Sequence, residues 1–179
     1  MSKLKFITFN DGILSDNIDE HGNIYSPYSD FEEEMNDALK NNNDILLFFS
    51  TNGGEFHLAM NMVEIINKFH NDIRMIVTGY CYSAGVYVVT NVDCPVEVYG
   101  TTTFMVHFPN LDINTKNLKD KDSWDFFIST TEEDNYDEYM KNIKHGLYKD
   151  EIEKVRNGKE VYLKKDRMVE ILKTKENNK

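Results

Sequence analysis

The sequence predicts an α/β layered domain, on three observations: short continuous apolar runs, a helix-period segment between two of them, and glycine breaks at the junctions. Ile45-Leu46-Leu47-Phe48-Phe49 is too short for an ordinary helix and apolar throughout, the pattern of a strand buried on both faces. Leu58, Met62, Ile65, Ile66 and Phe69 recur at helical spacing over residues 55–69. Residues 74–78 form another short buried strand, turned by Gly79.

The other elements follow in order. Residues 5–9 are a β-rich run closed by the turn signal Asn10-Asp11-Gly12. Residues 15–29 are polar and predict a loop. Ser29 or Asp30 is placed to cap a helix over 31–40, with Glu32, Glu33 and Glu34 near its positive end. Val86-Tyr87-Val88-Val89 reads as a strand on propensity alone. Residues 96–99 and 104–106 are further strands. Residues 110–125 are polar and charged, and 124–148 predict a long helix with an irregular start. A helix over 149–154, a turn at Asn157-Gly158, an extended stretch over 161–163 and a helix over 166–172 complete the chain. The tail, 173–179, is polar and expected to be frayed or disordered.

The length of 179 residues fits a single domain, 1–179, with a real core. A formal net charge of -11 argues against a nucleic-acid partner, which needs a clustered basic face. No apolar run approaches the roughly 20 residues that span a bilayer, and the N-terminus lacks a signal-peptide pattern. Cys81 and Cys94 lie in apolar stretches without ligand spacing, so both read as reduced core thiols, with no metal and no cofactor implied. A cytoplasmic protein is the expectation.

Three features carry chemistry. Asn52-Gly53-Gly54, between a strand and a helix, lets backbone N–H groups turn toward an oxyanion, although a plain turn is the commoner use of Gly-Gly. Gly79-Tyr80-Cys81-Tyr82-Ser83-Ala84-Gly85 puts a serine among small residues after a buried strand, but a bare S-x-G is common and the α/β-hydrolase elbow is absent. Met105-Val106-His107-Phe108-Pro109 ends an apolar strand in a histidine, which can act as a general base near neutral pH or serve as a structural hydrogen-bonder. His21, His57, His70 and His145 have no comparable context.

Together, in this order and at these separations, the three features resemble the proteolytic subunits of the Clp protease family. That family pairs a glycine loop, a G-x-x-A-S-x-G turn and an M-x-H-x-P strand. Residues 6–109 carry the resemblance, densely from 45 on. It implies a crotonase-like fold of stacked ββα units with a C-terminal helical handle, here at about 110–150. It also implies a serine peptidase with Ser83 as nucleophile, His107 as general base, and an oxyanion hole from Gly54 and Ala84 with Gly53 shaping the loop. Relatives form two heptameric rings capped by an ATP-dependent unfoldase, so a homo-oligomer acting on protein or peptide substrates is implied.

The sequence departs from the family at the third triad position, where an aspartate is expected. Aligning Tyr162-Leu163-Lys164-Lys165 with the segment that follows that aspartate puts Val155 or Arg156 there. Asn157 is then the nearest acceptor, with Asp150, Glu153 and Glu160 as alternatives. Thr51-Asn52 replaces a proline-bearing loop, and Tyr82 replaces a small residue. The alternatives are a catalytically inactive structural subunit assembling with an active paralogue, and a crotonase-type thioester enzyme.

Overall fold

The computed structural model describes residues 3–108 and 133–177. In chain order it has β1 (Leu4–Asn10), β2 (Asn17–Ile18), β3 (Ile24–Tyr25), α1 (Pro27–Lys40), β4 (Asp44–Thr51), α2 (Phe56–Lys68), β5 (Ile73–Tyr82), α3 (Ala84–Asn91), β6 (Val96–Val98) and β7 (Thr103–Val106). Beyond residue 132 come α4 (133–140), a short 3-10 turn (Ile143–Gly146), α5 (Lys149–Arg156), β8 (Val161–Lys164) and α6 (Lys165–Asn177).

The main sheet has the order β1-β4-β5-β7-β8, with β6 also paired to β5. Every pairing is parallel except β7 with β8, which is antiparallel. This mixed α/β architecture with a parallel sheet agrees with the crotonase-like fold expected from the sequence. One edge of β5 takes two partners in succession: Met75–Val77 pair with β6, and Tyr80–Tyr82 pair with β7. Between them the register with β4 slips, Phe49 facing Val77 but Thr51 facing Cys81. Gly79, at φ +64°, sits in this bulge, and Ser50 Oγ donates to Tyr80 O at 3.2 Å. A bulge re-aims the strand beyond it, here the end that leads to Ser83.

Strand alternation divides the sheet into two unlike faces. Ile7, Phe9, Ile45, Leu47, Phe49, Met75, Val77, Cys81 and Phe104 point into the core. Leu46, Phe48, Ile76, Tyr80 and Tyr82 point the other way and are only partly buried, and Phe6 and Tyr162 are exposed. The apolar run at 45–49 is therefore covered on one side among the described residues, not on both.

Three local expectations change. Residues 86–89 are helical, in α3, where Ala84 through Thr90 are all buried. A helix that is apolar all round belongs inside a core, and tertiary context overrides the β-branched preference. Thr90 helps by returning its hydroxyl to Val86 O at 2.8 Å. Helix α1 starts at Pro27, earlier than Ser29 or Asp30 would place it, since proline's fixed φ suits a first helical position. The polar stretch 15–29 contains the small antiparallel pair β2–β3.

The C-terminal third packs on the same core. Tyr139, Met140, Ile143 and Leu147 are buried. Most of the segment expected as a handle, and the start of its long helix, lies outside the described residues. Arg167 of α6 donates to Gly146 O at 3.0 and 2.7 Å, pairs with Glu151 at 3.0 Å and stacks over Tyr148 at 3.9 Å. This clamp fixes α5 and α6 around β8. Helix α6 continues to Asn177, into the tail expected to fray.

Candidate active site

Ser83 occupies the junction between β5 and α3 with φ 53° and ψ −122°. A non-glycine residue at positive φ is uncommon and costs on the order of 1–3 kcal/mol. Three hydrogen bonds hold it there. The Ser83 N–H donates to Met105 O at 2.7 Å, and Ser83 O accepts from Val86 N–H at 2.9 Å and from the Tyr139 hydroxyl at 3.2 Å. The residue is N-cap of α3, yet its side chain makes no capping bond, so the hydroxyl is not committed to the helix.

The glycine loop abuts this turn. A Cβ on Gly53 would lie 2.7 Å from both Ser83 Cβ and Tyr82 O, and 3.2 Å from Ala84 N, so only glycine lets the loop approach. Gly53 sits at φ +91° and Gly54 at +146°. The loop is pinned from its far side: Ile13 N–H donates to Gly53 O and Glu55 N–H donates to Ile13 O, each at 2.8 Å. Gly53 N–H is taken by Thr51 Oγ1 at 3.0 Å, so its part is to shape the loop. Ala84, the first residue of α3, has the unpaired N–H of any helix start. The structure thus brings Gly53 beside Ser83 and Ala84.

His107 follows directly on β7, which lies beside β5, with Met105 opposite Tyr82. It is partly buried. Burial holds its imidazole below the ordinary histidine value, and the Glu160 carboxylate opposes that shift. The antiparallel ladder ends with Val106 facing Val161, and His107 and Glu160 are the next residues beyond that pair. The Tyr139 hydroxyl also engages the His107 backbone. One buried phenol therefore touches the main chain of both Ser83 and His107.

Asn157 caps the C-terminus of α5, is exposed, and donates its amide to Glu153 O at 2.7 Å. The turn it starts leads to Glu160, the residue whose charge acts on His107. Asp150 is occupied by Lys154 at 3.0 Å. Tyr139 gave no local signal at all, since residues 83 and 139 meet only through the fold.

Cys81 and Cys94 are buried and free, and burial pushes the Cys94 thiol up to about 11. Among the described residues no group of histidine, cysteine and carboxylate side chains could hold a metal ion. Among them, too, no helix is long and apolar enough to cross a membrane.

The family model described as Clp protease matches residues 35–174, well over half of the chain. No curated protein matches it.

Proposed function

The chain belongs to the Clp protease family, and from that premise we propose that it is a serine-type endopeptidase working through a Ser83 acyl-enzyme. The observation that carries this reading is the Ser83 turn itself: a strained, uncapped serine bonded through its own N–H to the strand that leads into His107.

In this reading His107 accepts the Ser83 proton as the hydroxyl oxygen attacks the peptide carbonyl. The carbonyl oxygen becomes an oxyanion between the N–H groups of Gly54 and Ala84, and each such donor is worth on the order of 3 kcal/mol of barrier. The protonated histidine then gives its proton to the leaving amine, and water releases the acyl group by the same route. In this reading Glu160, one of the alternatives to Asn157, steadies the imidazolium with a full negative charge.

The catalytically inactive subunit is the alternative reading, motivated by the missing aspartate and by Tyr82 in place of a small residue; the charge of Glu160 on His107 favours activity. Assembly into an oligomeric chamber fed by an unfoldase is part of the proposal. It is supported by a sheet face that is left partly uncovered among the described residues, where Phe6 is 59% exposed and Tyr162 60%, since parallel sheets are ordinarily covered on both sides. Hydrolysis of fluorogenic peptides by the purified chain tests the activity. Wild type should cleave and Ser83→Ala should not, while an inert wild type would favour the structural subunit.

A further inference from the structure

Glu160 is exposed and one methylene longer than an aspartate, so holding it in one rotamer costs side-chain entropy. Its neighbour on the same face limits the rotamers open to it. Tyr162 donates its hydroxyl to Glu160 Oε2 at 2.8 Å. That bond is also the first cause of the raised Tyr162 phenol.

Although Tyr162 is 60% exposed, its ring is held. It packs edge-on against Tyr82 at 6.3 Å and 83°, and Tyr82 in turn lies 5.6 Å from Tyr80. The register puts Tyr82, Met105 and Tyr162 in one row across β5, β7 and β8. His107 and Glu160 lie one residue beyond the paired ends of β7 and β8, and extending the strand alternation by that residue puts both on the same face as this row. The three tyrosines thus form a ladder that ends in a phenol directed at the carboxylate, beside the residue that precedes Ser83.

We propose that Tyr162 is a positioning residue: its hydroxyl tethers one oxygen of Glu160, and the Tyr82–Tyr80 ladder holds that tether, so that the other oxygen is kept facing His107. This inference rests on the peptidase reading for its consequence, and on the geometry of the aromatic row for its existence. It also gives Tyr82, bulkier than the small residue the resemblance leads one to expect, a part in supporting the carboxylate. Among the described residues, the groups acting on His107 are Glu160 through its charge and Tyr139 through the backbone. Tyr162 and Tyr82 reach it through Glu160.

The test is an NMR titration of the His107 imidazole, assigned by its loss in His107→Ala, in wild type, Tyr162→Phe, Glu160→Gln and the double variant. Phenylalanine keeps the ring and its packing, so folding is preserved. Glu160→Gln should lower the His107 pKa. Tyr162→Phe should lower it by more than half as much, and should add nothing in the Glu160→Gln background. Peptide hydrolysis by Tyr162→Phe should lose kcat several-fold with KM unchanged. An unchanged His107 pKa in Tyr162→Phe would overturn the tether, and a raised one would mean that Tyr162 draws Glu160 away. If wild type shows no Ser83-dependent hydrolysis, the peptidase reading fails, while the titration still decides the tether.

Discussion

The hydroxyl of Tyr139 donates to the carbonyl oxygen of Ser83 at 3.2 Å. The same phenol engages the His107 backbone. Tyr139 is 2% exposed and lies among the rings of Phe56, Tyr87 and Phe108. A residue of α4 therefore ties together the two strand ends on which the proposed chemistry depends.

Tyr139→Phe keeps the ring and removes this tie. Ser83 O still accepts from Val86 N–H, so the expected cost is about 1 kcal/mol of folding stability. Urea denaturation measures it. The activity loss should exceed what that destabilisation explains, because Ser83 and His107 lose a shared anchor. Activity equal to wild type would show that the bond does not organise the site.

Gly53→Ala should abolish peptide cleavage. The new Cβ would meet Ser83 Cβ and Tyr82 O, both at 2.7 Å, with φ at +91° adding strain. The clash falls on the nucleophile turn, so loss of activity should be accompanied by a lower melting temperature. Cleavage at the wild-type rate would remove the loop from the proposed oxyanion hole.

Glu160→Gln and Asn157→Ala separate the two candidates for the third member. Glu160→Gln should lower kcat by about a hundredfold or more, since loss of an orienting carboxylate is costly in such triads. Asn157→Ala removes only a bond to Glu153 O, and should leave kcat near wild type. The reverse ranking would restore the assignment made from sequence.

The pH profile has a definite sign. Burial penalises the charged imidazole and lowers the His107 pKa, with Glu160 partly opposing. The neutral base therefore persists below the ordinary histidine value of about 6.5. The acid limb of kcat/KM should fall below that pH, and Glu160→Gln should move it lower still. An acid limb above the ordinary value would contradict the burial argument.

Much of the fold was legible where one local pattern dominated. The run at residues 45–49 and the helical spacing from Leu58 to Phe69 carried their own periodicity into β4 and α2. Residues 86–89 read as a strand because β-branched residues favour strands, whereas tertiary context holds them in a buried helix. In the candidate site, Gly53, Gly54, Ser83, Ala84 and His107 were readable as ordered motifs. Glu160 was readable only as one of several acceptors, and Tyr139 and Tyr162 not at all, because each acts through a partner more than 50 residues away or through the β7–β8 register, and a single sequence does not print pairing.

The most direct measurement is fluorophosphonate labelling of the intact chain, with the adduct located by peptide mass spectrometry. The account predicts one adduct on Ser83, abolished by Ser83→Ala and strongly slowed by His107→Ala. An adduct on another serine, or labelling that survives Ser83→Ala unchanged, would contradict it.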